Sequence, residues 1–377
     1  MTGGTDMERY LGESIPKLGF GLMRLPMAEG KIDLEQVKEM VDLFLDAGFR
    51  YFDTAYGYND GDSERAAKAA LVDRYPRERF FLATKLPAWT AKSEEDAKQM
   101  FYTSLERTGA GYFDFYLLHN IGKGRLESFD NFGIWDFLAA RKAEGLIRHL
   151  GFSAHCTPEM LDEVPNAHPD MEFVQLQINY ADWDSEGVQA RKCYEVARAH
   201  GKPVVIMEPV KGGILADPIP EVKKILEAAG GERSYASWAL RFAAGLDGIL
   251  AVLSGMSSTA QMEDNLRTMT PFSPLDEAER EAVRKAQEAL NEDKTIACTG
   301  CHYCTDGCPM GIPIPDIFTV ANRRKGSPHF RTVREYDNVT QGKGRASDCV
   351  QCGQCESACP QHLPIIRLLK ECDELFR

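Results

Sequence analysis

The sequence predicts an α/β protein in which a closed (β/α)8 barrel precedes a small cysteine-rich domain. Eight short apolar runs alternate with longer amphipathic stretches over the first 290 residues, which is typical of repeated strand–helix units. Eight of the eleven cysteines form two runs of identical spacing, both after residue 297. At 377 residues the chain is long enough for a barrel and a smaller domain. We therefore expect domains at 1–290 and 291–377.

The apolar runs have the length of buried strands. They cover 18–22, 50–53, 80–85, 113–118, 149–152, 173–178, 204–207 and 248–253. The clearest helical patterns between and after them cover 34–47, 63–73, 94–108, 132–144, 188–200, 235–243 and 276–291. Asp33 and Ser93 are placed to cap two of these helices at their N-termini. Glycines that can end a helix in the left-handed conformation are Gly48, Gly109, Gly145 and Gly201.

Strict alternation of strands and helices implies a parallel sheet, and eight units in about 270 residues fit a TIM barrel. An open, doubly wound sheet is the competing arrangement. It would usually carry Gly-x-Gly-x-x-Gly after an early strand, and the sequence has no such motif.

The formal net charge of −13 argues against nucleic acid or an anionic membrane surface as a partner. Residues 1–6 are expected to be a polar lead-in, and no apolar run is long enough to cross a bilayer. We therefore expect a cytoplasmic protein in a reducing compartment, where cysteines stay available as ligands.

The two cysteine runs have the C-x2-C-x2-C-x3-C-P spacing of bacterial ferredoxins. This spacing predicts a small ferredoxin-like domain with two [4Fe–4S] clusters. The first run is Cys298, Cys301, Cys304 and Cys308, followed by Pro309. The second run is Cys349, Cys352, Cys355 and Cys359, followed by Pro360.

Three closely spaced thiolates can bind one cube, whereas the fourth, held before proline, points away. A duplicated βαββαβ-like unit would then cross the ligands, so that Cys359 completes the first site and Cys308 the second. Zinc is the alternative, but its ligands usually come in pairs separated by a dozen residues or more. Disulfides would need an oxidising compartment. The remaining cysteines, expected to be buried thiols, are Cys156, Cys193 and Cys372.

The linker between the runs, residues 310–348, predicts a short helix over 314–323 that ends in the basic stretch Arg323-Arg324-Lys325. Such a stretch is usually a solvated helix end. The alternative is a docking contact for an acidic electron carrier, such as a ferredoxin or a flavodoxin-like protein, or for the acidic barrel.

Polar residues close three consecutive predicted strands, and they are Asp53, Lys85 and His119. Barrel enzymes carry their chemistry at the C-terminal strand ends, and Tyr58 can reach the same point from its loop. A nearby lysine is expected to lower the pKa of the Tyr58 phenol, which is about 10 when free. Tyr58 could then give a proton to a carbonyl oxygen while His119 orients that carbonyl.

Residues 8–290 resemble the aldo-keto reductase family. The resemblance rests on Phe52-Asp53-Thr54-Ala55-x-x-Tyr58, Ala83-Thr84-Lys85, the segment 114–119 and Gly151-Phe152-Ser153, with Gln175 and Asn265 also matching. It implies a (β/α)8 barrel, a nicotinamide cofactor across the strand ends and the tetrad of Asp53, Tyr58, Lys85 and His119. The C-terminal domain resembles that of the branch with a fused ferredoxin-like domain, which could close the substrate pocket and bring a cluster near the barrel mouth.

The resemblance implies cofactor contacts from Ser153, Gln175, Met207, Ser254, Gly255 and Asn265. In this sequence Ala154 stands where the family commonly has asparagine, and Met207 stands where an aromatic residue often stacks on the nicotinamide. The loop 254–261 has no Lys or Arg for a 2′-phosphate, which favours NADH slightly over NADPH. Lys211 and Arg267 are candidate substitutes, and Trp89 and Trp183 are candidates for an apolar pocket wall.

These features predict an oxidoreductase that reduces a carbonyl or another unsaturated small molecule while the clusters pass electrons. Clusters carry single electrons and nicotinamide carries a hydride, so the two clusters would act in sequence or through a flavin, for which no clear motif is present. One alternative is a nicotinamide-dependent carbonyl reductase with structural clusters. Another is an electron-transfer or partner-binding protein with a non-catalytic barrel.

Overall fold

The computed structural model describes residues 9–230, 233–293, 295–324 and 329–376; the expected lead-in at 1–6 and Lys325 of the basic stretch lie outside them. Eight parallel strands close into a barrel. The predicted barrel is therefore confirmed, and the open sheet is wrong. In chain order, strands β1 to β8 are Leu18–Gly21, Tyr51–Asp53, Phe81–Leu86, Phe113–Ile121, Ile147–Ala154, Phe173–Gln177, Val204–Met207 and Ile249–Ser254.

Helices surround the barrel. They are α1 (Leu34–Asp46), α2 (Asp62–Ala67), α3 (Glu94–Thr108), α4 (Leu126–Asn131), α5 (Ile134–Ala143), α6 (Pro158–Ala167), α7 (Ala190–Ala199), α8 (Pro220–Gly230), α9 (Tyr235–Ala244), α10 (Thr259–Met269) and α11 (Glu277–Glu292). Six of the seven predicted patterns agree with them to within two residues at each end, and the pattern over 63–73 covers α2 and the π-helical turn Lys68–Val72 that continues it. The predicted helix over 132–144 begins two residues later, because Gly133 is left-handed and separates it from α4. Within the described residues, none of the helices combines the length and apolarity needed to cross a bilayer.

The predicted helix ends are present. Asp33 and Ser93 accept hydrogen bonds from the backbone N–H groups of Gln36 and Asp96. The four glycines chosen as helix terminators all have positive φ, between 61° and 89°, which is the conformation that glycine adopts at little cost.

Alternation along the strands decides which side chains enter the barrel. Tyr51, Ala83 and Phe115 belong to the inner apolar cluster, whereas their neighbours Phe52 and Leu82 pack outward against the helices. Every second residue of a strand faces the same side. Asp53, Lys85 and His119 follow Tyr51, Ala83 and Phe115 at even spacing, so they also face inward, at the C-terminal mouth of the barrel. The sequence pattern thus dictates where the tetrad lies.

The C-terminal domain is helical. Its helices are α12 (Ile314–Arg323), α13 (His329–Thr340), α14 (Gln354–Ala358) and α15 (Ile365–Phe376). Across its described residues, 295–324 and 329–376, no strand is present, so the expected βαββαβ-like unit is wrong. The long linker accounts for the difference, because α12 and α13 fill it and bury Ile317, Phe318 and Tyr336 in the domain core.

Candidate active site

The inner face of the barrel mouth brings together Asp53, Lys85 and His119, which lie on β2, β3 and β4. The Lys85 ammonium donates to Oδ1 of Asp53 at 2.5 Å and to the backbone carbonyl of Thr54 at 2.7 Å. Burial raises the pKa of Asp53 and lowers that of Lys85, and their mutual attraction opposes both shifts. The two acceptors on the ammonium favour the ionised form of this pair.

Tyr58 joins this group from the turn after β2. Its hydroxyl lies 3.5 Å from Nζ of Lys85, and its ring centroid lies 5.8 Å from that of His119. The next two residues, Asn59 and Asp60, both have left-handed backbone conformations, which Asn and Asp tolerate better than other side chains. The structure therefore assembles all four predicted tetrad residues.

The pKa of Tyr58 departs from the sequence expectation. Burial raises it well above its ordinary value, and the negative charges of Asp53 and Glu208 raise it further. The expected lowering by Lys85 is thus wrong, because removing the phenolate from water outweighs the nearby cation. Tyr58 stays protonated at neutral pH, as a proton donor requires.

His119 is held neutral. Burial lowers its pKa well below the ordinary value, and the charges of Lys85 and Arg125 lower it further. Its Nδ1 atom is buried without a hydrogen-bond partner in the described structure. Trp89 and Tyr303 flank its ring, with centroids 5.4 and 6.5 Å away. A neutral imidazole in this position can hydrogen-bond to a polar atom of a bound molecule.

A cavity of about 560 Å³ opens beside the tetrad, within the range of small-molecule sites. Asp53 and Tyr58 line it from the barrel. The C-terminal domain completes its wall with Thr299, Cys301, Tyr303 and Pro360. The expectation that this domain closes the mouth agrees with the structure.

Five of the six predicted cofactor contacts line this cavity, and they are Gln175, Met207, Ser254, Gly255 and Asn265. Ser153 does not line it, because its hydroxyl faces β4 and accepts from the backbone N–H of Asn120 at 2.7 Å. Gln175 donates weakly to the Met207 sulfur at 3.5 Å, and its Oε1 is buried with no partner in the described residues. That oxygen can accept a hydrogen bond from a ligand.

The two basic residues suggested for a 2′-phosphate are engaged elsewhere. Lys211 is buried and binds Asp182 and Gln361, so it is not available and that suggestion is wrong. Arg267 is 70% exposed and pairs with Asp264. Trp183 packs against Tyr194 and Phe242 rather than on the cavity wall.

Sequence reasoning overlooked Glu208, Arg24 and Tyr303. Glu208 follows β7, so the strand-end rule that selected the tetrad would have selected it too. It has a left-handed φ of 57°, lies 3.6 Å from Arg24, and burial raises its pKa. Arg24 also donates to the carbonyl of Thr299 at 2.8 Å, which ties the cavity wall to the C-terminal domain.

The eight patterned cysteines surround two small cavities. Cys298, Cys301, Cys304 and Cys359 line the first. Cys308, Cys349, Cys352 and Cys355 line the second. Each group combines three cysteines of one run with the last cysteine of the other, as the crossed assignment requires.

The three cysteines outside the two groups, Cys156, Cys193 and Cys372, are buried as expected, and none of the eleven cysteines is in a disulfide bond. In the described part of the chain, no three His, Cys, Asp or Glu side chains converge closely enough to share one metal ion.

Comparison with known proteins agrees with both parts of this architecture. The model of the aldo/keto reductase family matches residues 17–288, and that of the 4Fe-4S dicluster domain matches residues 297–363. An aldo-keto reductase of Mycolicibacterium smegmatis is 30% identical over 213 residues, which are 55% of this chain and 69% of that protein. L-galactose dehydrogenase of Arabidopsis thaliana is 25% identical over 76% of this chain and 91% of that protein. Two relatives from Mycobacterium are matched over 47% of their length.

Solved structures show the same barrel. An aldo-keto reductase from Bacillus halodurans in its holo form is 26% identical, with a TM-score of 0.60. The match covers 73% of this chain and 93% of that one.

Proposed function

The chain belongs to the aldo/keto reductase family, and we propose that it reduces a carbonyl, or another unsaturated small molecule, in the barrel cavity. In this proposal Tyr58 donates the proton, nicotinamide is the hydride source and two [4Fe–4S] clusters pass electrons. One observation carries it: Tyr58 and Cys301 line the same cavity. The proposed domains are 1–290 for the barrel and 291–377 for the clusters.

The tetrad can protonate a carbonyl oxygen as the carbon is reduced. Tyr58 keeps its proton because burial raises its pKa, and the ion pair of Lys85 with Asp53 lies beneath its hydroxyl. As the oxygen gains negative charge, the Tyr58 proton moves to it and the ammonium stabilises the phenolate that remains. Neutral His119 holds the same oxygen by a hydrogen bond.

The cavity wall fits a nicotinamide. The unpaired Oε1 of Gln175 can accept from a carboxamide, and Met207 can pack against a ring. Ser254 and Asn265, joined by a 2.9 Å hydrogen bond, form the next part of the wall. When bound, the nicotinamide supplies the hydride. NADH remains our proposed preference, because Lys211 is engaged elsewhere and loop 254–261 has no basic residue.

The two cysteine groups fit [4Fe–4S] clusters, which would carry single electrons when bound. Because the hydride brings both electrons that the carbonyl needs, the clusters would pass electrons one at a time between the nicotinamide and a carrier, two for each hydride. Cys301 faces the barrel cavity, so the first site is the one next to the substrate. At the second site Cys352 is exposed, and Val350 beside it is 58% exposed. A ferredoxin or flavodoxin-like carrier would therefore exchange electrons with the second site.

Anaerobic titration with NADH and NADPH tests this function. We expect cluster absorbance to bleach and a small aldehyde to be turned over, both more readily with NADH. The absence of nicotinamide-linked turnover with intact clusters would contradict the proposal.

Structural clusters are the second candidate, because Cys304, Cys355 and Cys359 are buried in the apolar core of the C-terminal domain. In that case the clusters stabilise the fold of the C-terminal domain by cross-linking its core, and they do not carry electrons. A redox titration followed by electron paramagnetic resonance distinguishes the two. Clusters that stay oxidised with NADH, NADPH and reduced ferredoxin, during continued carbonyl turnover, would support the structural role.

A further inference from the structure

The loop after β4 carries Arg125, whose guanidinium lies among aromatic rings beside the tetrad. Its Cζ atom lies 4.5 Å from the centroid of Trp89 and 6.0 Å from that of Tyr303. Both rings also lie next to His119. The guanidinium and the imidazole therefore have the Trp89 indole as a common neighbour.

Two other sheltered arginines of the barrel have carboxylate partners. Arg77 pairs with Asp114 at 2.5 Å, and Arg241 pairs with Glu279 at 2.6 Å. For Arg125, no carboxylate of the described residues lies within ion-pair distance. Burial lowers its pKa, and only Tyr303 and Cys301 oppose that shift.

This environment is costly for a cation. A guanidinium that loses water without a carboxylate in contact is destabilised. The positive charge also reaches two buried histidines, His119 and His155, and lowers the pKa of each. A negative group bound beside Arg125 would stabilise the guanidinium and would weaken its effect on the pKa values of the two histidines.

We propose that Arg125 binds an anionic group, a carboxylate or a phosphate, on the molecule whose carbonyl is reduced. The planar fork of a guanidinium suits both groups, and its stacking on Trp89 orients it beforehand. The inference rests on the proposed function and adds its substrate class, an anionic aldehyde or ketone. In this role Arg125 determines specificity.

The test compares matched aldehydes. Benzaldehyde is paired with 4-carboxybenzaldehyde, and glyceraldehyde with glyceraldehyde 3-phosphate, so that the two pairs distinguish carboxylate from phosphate. We expect the wild-type protein to prefer an anionic member. Arg125→Gln should raise the KM of that member about 10- to 100-fold, while the neutral member changes less than about 3-fold. Arg125→Lys should recover part of the loss, and Lys123→Gln, an exposed charge in the same loop, should have no effect.

Two results would overturn the inference while leaving the proposed function intact. One is an equal change of KM for the neutral and anionic members. The other is a shift of the cluster potential in Arg125→Gln with unchanged discrimination, which would make Arg125 a counter-charge to the cluster at Cys301.

Benzoate and inorganic phosphate binding, measured by calorimetry without turnover, separates the two proposals. Binding of either anion that Arg125→Gln abolishes would support the anion site even if no aldehyde were reduced, so the proposed function alone would fail. No binding of either anion to the wild-type protein, together with no preference for an anionic aldehyde, would overturn the inference.

Discussion

Lys211 donates from Nζ to Oε1 of Gln361 at 2.8 Å, across the junction between the barrel and the C-terminal domain. The same ammonium pairs with Asp182, whose Oδ2 accepts from Gln177 and Asn179 at 2.9 and 2.8 Å. A buried polar network therefore joins the barrel strand β6 to the residue that follows Pro360. This network holds the C-terminal domain, and with it Cys301 on the cavity wall, against the barrel.

Replacing Lys211 should loosen this junction. Lys211→Met leaves the Asp182 carboxylate buried without its cation, which should destabilise the protein by about 3 kcal/mol. We expect a lower unfolding temperature and faster proteolysis within 293–324, with an unchanged NADPH-to-NADH affinity ratio. Lys223→Met, which removes an ammonium paired with the exposed Asp217, is the control. A selective loss of NADPH affinity at unchanged stability would instead return Lys211 to phosphate binding.

Tyr58→Phe should remove the proton donor while keeping the ring. We expect kcat for aldehyde reduction to fall at least 100-fold with little change in KM, because proton transfer contributes in that range. Steady-state kinetics with a neutral aldehyde measures this effect. Tyr194→Phe is the control, since that hydroxyl donates to the carbonyl of Asp247 outside the cavity. Unchanged turnover in Tyr58→Phe would mean that another group donates the proton.

The pKa directions predict a broad pH plateau. Tyr58 has a raised pKa, so its protonated form persists through neutral pH and is lost only above about pH 10. His119 has a lowered pKa, so its neutral form persists until the pH falls below about 6.5. We expect kcat/KM for carbonyl reduction to be flat between about pH 7 and 9. A fall with an apparent pKa near 8 that Tyr58→Phe abolishes would show that the phenol is acidic after all.

The tetrad could be predicted from sequence because period-two alternation places side chains on one face of a strand. Asp53, Lys85 and His119 each continue an inner-face series that begins with an apolar residue, such as Tyr51 or Phe115. Their convergence then follows from closure of the barrel. The two cysteine runs were recognisable because the spacing within each run is local, and their crossed grouping followed from the ferredoxin pattern.

Long-range contacts and burial could not be predicted in this way. Tyr303 reaches His119 only because the C-terminal domain docks on the barrel mouth, and no local pattern encodes that docking. The pKa of Tyr58 was misjudged because the sequence shows a neighbouring cation but not the loss of solvent. The βαββαβ-like unit was wrong because cysteine spacing constrains the ligands without constraining the linker between them.

Double substitutions test the crossed cluster ligands. If Cys359 and Cys301 serve the same cluster, Cys359→Ala and the pair Cys359→Ala with Cys301→Ala should each retain about four irons per chain. The pair Cys359→Ala with Cys352→Ala should retain almost none, because it damages both sites. Iron content and electron paramagnetic resonance of anaerobic protein measure this, with Cys193→Ala as a buried-thiol control. The reverse pattern, with iron retained in the Cys352 pair and lost in the Cys301 pair, would show that each run binds its own cluster.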